Sequence, residues 1–147
     1  MDLLAIAIEM EKRGAAFYDV MSRSSPPEAG HVFRHLVEME RAHIQTFENL
    51  RPEIAADIEG DPEFVMALME SMVFPEISLT GETALAAGNY EKSLELAIGL
   101  EKDSILFYYE LKGLQPSGLT RALDRIIGEE KAHLSQLLEL QTAARRR

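Results

Sequence analysis

The chain contains no cysteine. That excludes disulfides, thiolate zinc sites, iron–sulfur clusters and thiol redox chemistry, and leaves the cytoplasm as the expected compartment. Long hydrophobic runs are missing too. No apolar stretch reaches the roughly 18 to 20 residues that span a bilayer, so no membrane segment is expected. Met1-Asp2-Leu3-Leu4 lacks the basic start of a signal peptide. Positive charge is scarce, with 15 Lys and Arg against 25 Asp and Glu and a net charge of −10. Phosphate backbones need a basic face, so nucleic acid is not an expected partner. The one basic cluster, Arg145-Arg146-Arg147, reads as a solvated helix end that complements the helix dipole.

What is present is enough apolar residue, 46% of 147, for one domain over residues 1–147 with a packed core. Apolar side chains recur at spacings of three and four in four stretches. The first predicted helix runs from about Leu3 to Ser22, with Leu4, Ile8, Ala15 and Tyr18 inward and Glu9 and Lys12 solvated. Ser25 is placed as N-cap of the second, Pro26 at its first position and Glu28 as the other arm of a capping box. So short a joint folds the second helix back on the first. That helix presents Phe33, Leu36, Phe47 and Leu50 and should end near Arg51, ahead of Pro52.

The pattern loosens over residues 52–88. A short helix from Phe64 to Val73 is expected after Asp61-Pro62-Glu63, ended by Phe74-Pro75, with turns at Leu79-Thr80-Gly81 and Ala87-Gly88. So long a connection can climb the length of a bundle and make the second and third long helices parallel. Asn89 can cap the third, which presents Leu94, Ile98, Ile105 and Tyr108 and closes at Gly113. After Gln115-Pro116-Ser117-Gly118 the fourth runs from about Leu119 to the tail, with Leu123, Ile126, Leu137 and Leu140 inward. The expected architecture is all-α: a four-helix bundle of two helical hairpins joined by a long crossover containing a short helix.

The two hairpins, about residues 1–51 and 89–147, repeat one pattern at an offset of ninety, which suggests duplication about a pseudo-twofold axis. Glu40-Arg41-Ala42-His43 echoes Glu130-Lys131-Ala132-His133, and Glu11 stands where Glu101 does. One Glu-x-x-His is usually ordinary helix surface, and one Glu within an apolar stripe usually snorkels. Here both motifs and both single glutamates fall mid-helix on the inward faces, in duplicate. Residues three apart share a helix face, so Glu and His of each motif can grip one ion.

Burying an unpaired carboxylate costs several kcal/mol, and four together repel one another. A domain stable by about 5–15 kcal/mol could not carry them without counter-charge. Two divalent cations neutralise four glutamates, whereas protonated glutamates, the bland alternative, leave the paired histidines unexplained. Oxygen-rich ligands with one imidazole per ion suit iron or manganese, with zinc as an adventitious occupant. Glu40 and Glu130 are expected to bridge, with Glu11 and His43 completing one ion and Glu101 and His133 the other. Tyr18 and Tyr108 lie seven residues beyond Glu11 and Glu101, placed either to hydrogen-bond ligand carboxylates or simply to fill core. Met10 and Met39 read as packing, and His31 and His35, opposite Arg121 and Arg125 in the repeat, as surface.

Through Glu11 with Phe17-Tyr18, Glu40-x-x-His43, Glu101 with Phe107-Tyr108, and Glu130-x-x-His133, the chain resembles the rubrerythrin branch of the ferritin-like superfamily. The resemblance covers all four long helices. It implies a ferritin-like bundle and a non-haem di-iron centre that reacts with hydrogen peroxide or dioxygen, often in a homodimer. Two departures qualify it. Rubrerythrins proper carry a four-cysteine iron domain; this chain has no cysteine, so an external electron donor protein is expected. They also carry an extra carboxylate three residues after the third-helix glutamate, where this chain has Ser104, with Gly14 as its counterpart. The implied activity is an oxidoreductase, with a ferroxidase or iron binder, or a metal-stabilised interaction bundle, as alternatives.

Overall fold

A computed structural model describes residues 3–50, 62–71, 89–113 and 117–146. These residues form five helices: α1 (Leu3–Ser24), α2 (Pro27–Leu50), α3 (Pro62–Ser71), α4 (Tyr90–Gly113) and α5 (Ser117–Arg145). The four long ones make a four-helix bundle, with α1 packed mainly on α2 and α4 on α5.

Cross-helix contacts give the directions. Tyr18 meets Glu101 and Tyr108 meets Glu11, so α1 and α4 run antiparallel. Arg125 meets Thr46 while His133 meets Glu40, which makes α2 and α5 antiparallel as well. Lys112 pairs with Asp124 and Lys131 with Tyr109, so α4 and α5 oppose each other. With α1 and α2 joined by two residues, α2 and α4 are parallel. That is the order a long connection between the hairpins permits.

The inward stripes of α1 and α2 are buried where periodicity puts them, at Leu4, Ile8, Ala15, Tyr18, Phe33, Leu36 and Phe47. On α4 the stripe is rotated slightly. Ser104 is buried and Ile105 only half so, because Phe107, Tyr108 and Leu111 carry the face toward the bundle axis. Leu50 and Leu140, near the ends of their helices, are also half-buried.

Three helix ends differ from the sequence expectation. The capping box at Ser25 does not form: the Pro26 carbonyl accepts from the amides of Ala29 and Gly30, and Pro27 takes the first helical position. Ser25 Oγ is left without a hydrogen-bond partner, while its amide closes the end of α1 on the Met21 carbonyl. Proline lacks the N–H that a first-turn residue would leave unpaired, so Pro27 fits there as well as Pro26 would. Gly30 then lets α2 pass close beneath α1, since a Cβ at that position would meet the Ser22 carbonyl at 3.3 Å. Gly113 stays helical as the last residue of α4, and Ser117 and Gly118 belong to α5 rather than to the joint. Asn89 does cap α4, its Oδ1 accepting from the Lys92 amide at 3.0 Å. Of the expected crossover, α3 is described from Pro62 to Ser71. Asp61, Val73, Phe74-Pro75 and the turns at residues 79–81 and 87–88 lie outside the described residues.

Candidate metal centre

Glu11 and Glu101 occupy the middles of α1 and α4, and Glu40, His43, Glu130 and His133 those of α2 and α5. The bundle buries all six, at 1–4% exposure. Aromatic rings close the space on both sides along its axis. Tyr18 stacks on Phe33 with ring centroids 6.0 Å apart, and Tyr108 packs against Phe47 at 5.5 Å. Glu11 and Tyr18 are seven residues apart on one helix, two turns or about 10 Å of axial rise.

Ligand atoms converge in two groups: Glu11, Glu40, His43 and Glu130, and Glu40, Glu101, Glu130 and His133. Within each group they lie within 4.8 Å of one another, close enough to hold a metal ion, and Glu40 and Glu130 belong to both. The His43 and His133 rings are stacked, with centroids 6.0 Å apart.

The tyrosine hydroxyls bond across the halves. Tyr18 donates to Glu101 Oε1 at 2.6 Å, and Tyr108 donates to Glu11 Oε1. Each therefore orients the single glutamate of the opposite hairpin and leaves that residue's second oxygen free. Glu11 Oε2 and Glu101 Oε2 have no hydrogen-bond partner, nor do Glu40 Oε1, both oxygens of Glu130, His43 Nδ1 or either nitrogen of His133. The 2.9 Å contact of His43 Nδ1 with Glu130 Oε1 is an ion-pair distance without hydrogen-bond alignment. Buried polar atoms are ordinarily satisfied, so a cluster of orphans on four carboxylates and two imidazoles fits a group that brings positive charge. The donor set, oxygen-rich with one imidazole in each half, fits iron or manganese.

Charges strain against one another within the cluster. Burial, followed by repulsion from Glu11 and Glu130, holds the Glu40 carboxyl well above its ordinary range. Burial and the Glu130 charge do the same to Glu101, and burial with the Glu11 charge raises Glu130. Burial also acts upward on Glu11, but contacts with Glu40 and His43 outweigh it and leave Glu11 lowered to about 2. Burial favours a neutral His43, yet the Glu11 and Glu130 carboxylates lift it to about 11. His133 goes the other way, lowered chiefly by burial. The hydroxyls of Tyr18 and Tyr108 are pushed well above the usual phenol range, first by burial and then by the carboxylates they touch, so they remain donors.

One residue at the centre escaped the sequence analysis. His43 Nε2 lies 2.6 Å from Glu129 Oε2, and Glu129 is one-third exposed. Aligning the halves at ninety residues sets Glu129 against Met39, which would have singled it out. His31 and His35 are exposed, as expected, though the His35 and His133 rings lie at right angles with centroids 6.4 Å apart.

The rubrerythrin family model matches residues 2–141. The chain is a member of the rubrerythrin family. A solved structure of a ferritin-like diiron-carboxylate protein from Thermotoga maritima aligns over 97% of this chain and 94% of that one, at 28% identity and a TM-score of 0.69. No curated protein matches the chain. The Glu and His cluster of this rubrerythrin-family chain lies between the four long helices. Among the described residues, no helix is long and apolar enough to cross a membrane.

Proposed function

We propose that this chain is a non-haem di-iron oxidoreductase of rubrerythrin type. The observation that carries the reading is the cluster of orphaned ligand atoms on Glu11, Glu40, His43, Glu101, Glu130 and His133. In this assignment Glu11 with His43 would hold one ion and Glu101 with His133 the other, and Glu40 and Glu130, which belong to both groups, would be shared. When bound, the ferrous pair supplies the two electrons that reduce hydrogen peroxide to water or begin the reduction of dioxygen. Manganese fits the same donors.

The side chains have separate tasks. Tyr18 and Tyr108 fix Glu101 and Glu11, so that each keeps one oxygen aimed at the cluster. Phe33 and Phe47 back those tyrosines and keep bulk water from the two ends of the cavity. Protons held on the raised carboxylates and on His43 leave when cations take their place, so uptake of metal releases protons. The cysteine-free chain takes its electrons from a separate donor protein, and the same reading makes it a homodimer in the cytoplasm.

Ser104 favours one competing reading. It is buried on the inward face of α4, where an extra family carboxylate is expected, and offers only a hydroxyl. A ferroxidase or iron binder without repeated turnover needs no more than that. Rapid mixing of anaerobically iron-loaded protein with peroxide separates the two. The oxidoreductase predicts a ferric absorbance rise at one peroxide per two irons, and re-reduction by a donor that sustains further turnovers. Oxidation that stops after one round favours the iron binder. Oxidation no faster than that of free ferrous ion in the same buffer sinks the redox reading altogether.

A further inference from the structure

We propose that the two metal positions are unequal: the one completed by His43 takes a divalent ion before the one completed by His133, because Glu129 anchors only His43. The inference rests on the metal-site assignment above and adds an order of filling to it.

The halves repeat so closely that a difference at equivalent positions stands out. Residues 31–50 and 121–140 share one burial pattern, position for position. Within it Glu129 corresponds to Met39 and Arg125 to His35, and both Met39 and Glu129 are half-buried. Glu129 Oε2 sits 2.6 Å from His43 Nε2, while its other oxygen lies 4.0 Å from Arg125 Nε. Arg125 in turn donates to Thr46 on α2 at 3.2 Å. An ionised carboxylate only accepts, so this chain of contacts puts a proton on Nε2 of His43 and turns Nδ1 toward Glu11 and Glu130. The pseudo-twofold axis carries Glu129 onto Met39, and a thioether is at best a weak acceptor. His133 Nε2 is correspondingly buried without a hydrogen-bond partner, with the His35 ring at right angles to its own instead of a guanidinium-backed carboxylate behind it.

A carboxylate behind a metal-binding imidazole fixes its tautomer and ring orientation and makes it a better donor. Losing such a partner typically lowers metal affinity about 10- to 100-fold. The His133 ring has to be oriented as the ion binds, so its position should fill second and more weakly. Glu129 is thus a positioning residue that acts through His43.

Calorimetric titration of the metal-free protein with cobalt(II) under argon, with elemental analysis of the loaded product, tests this. Two ions should bind in resolved steps separated by about 10- to 100-fold in affinity. In crystals soaked with less than one equivalent, anomalous scattering should appear beside His43. Glu129→Met should weaken the tight step by a similar factor and leave the weak one in place. Met39→Glu should strengthen the weak step. The double exchange, Glu129→Met with Met39→Glu, should move the first ion to His133, which a merely structural role for Glu129 could not do. Far-ultraviolet circular dichroism of each metal-free variant checks that it folds, and Met39→Glu alone still decides the matter if Glu129→Met does not. Two ions of equal affinity, or a first ion beside His133 in the parent protein, overturns the inequality and leaves the site assignment standing. No bound ion at all overturns the assignment itself.

Discussion

The α1–α2 hairpin and the α4–α5 hairpin bury matching positions, identically over residues 31–50 and 121–140 and with few exceptions between α1 and α4, but do not build the same surroundings. Where α2 carries Phe33 and Phe47, α5 carries Leu123 and Leu137, all four fully buried. The ring contacts that reach the tyrosines from another helix therefore both come from α2. Gly14 on α1 faces Glu40 so closely that a Cβ there would stand 3.2 Å from Glu40 Oε2, whereas α4 accommodates Ser104 at the equivalent place. Burial pattern is thus the conserved half of the repeat, and side-chain identity beside the carboxylates is where the halves part. Two clusters with matching ligands can differ in how tightly each imidazole and carboxylate is held.

The sharpest way to break the comparison is to remove what both halves share. Glu40→Ala or Glu130→Ala should abolish binding of both ions, whereas Glu11→Ala should spare the ion beside His133; elemental analysis after iron loading distinguishes them. With free metal at a thousand times its dissociation constant, loss of an ion removes about 4 kcal/mol of stabilisation. Chelation of the parent protein should accordingly lower its melting temperature, and melting that ignores chelator would show that the carboxylates are not neutralised by metal.

Acidity separates the metal-free state from the loaded one. The folded chain keeps protons on Glu40, Glu101 and Glu130 that the unfolded chain releases near 4.5. Their contribution to stability is complete below that value and is lost as pH rises through the raised ones. His43 acts in the same sense: it contributes fully below 6.5 and loses its contribution toward about 11. The lowered groups oppose this only in acid, Glu11 between 4.5 and about 2 and His133 below 6.5. Metal-free protein should therefore melt at progressively lower temperature between about pH 7 and pH 9. Metal affinity should rise over the same interval, because the ligands bind deprotonated. A metal-free melting curve that is flat or rising there would contradict the buried, proton-holding cluster.

The crossed hydroxyls give a smaller and symmetrical effect. Tyr18→Phe leaves Glu101 Oε1 unpaired and Tyr108→Phe leaves Glu11 Oε1 so, each at a cost of about 1–3 kcal/mol in denaturant unfolding. Each should also disturb the ion of the opposite half rather than its own, which cobalt(II) spectra of the two variants would show. Smallest of all is Gly14→Ala. Alanine favours helix by about 1 kcal/mol, and in the metal-free protein the Glu40 carboxylate can give way. The variant should melt slightly higher without metal and gain less from metal than the parent; an equal gain would mean that Glu40 has room to spare.

The six clustered residues were legible in the sequence for an energetic reason. A glutamate inside an apolar stripe is costly enough that four of them, with two histidines at the same helical spacing, leave few physical explanations. The helices were legible from their stripes, and the parallel pairing of α2 with α4 from the length of the connection. The cap at the start of α2 was not, because Ser25, Pro26 and Pro27 offer two adjacent solutions of similar energy. Nor was Glu129, whose side chain points about 100° away from that of Glu130 around the helix and reads as a solvated neighbour. Only the approach of α2 brings the far nitrogen of His43 within reach of it. The tyrosines were placed on the right face, but which glutamate each would meet depends on the antiparallel docking of α1 on α4.

That crossing has a consequence for biosynthesis. The two hydroxyl bonds join residues 83 and 97 positions apart, so they form only after α4 has been made. The first hairpin leaves the ribosome with Glu11, Glu40 and His43, three of the four residues of one cluster, while Glu130 is still unmade. At common translation rates Glu130 follows Leu50 after roughly 4 to 16 seconds. During that interval an ion captured by the nascent chain has an incomplete grip, without Tyr108 to steady Glu11 and with water on its open side. Only the final helix closes it.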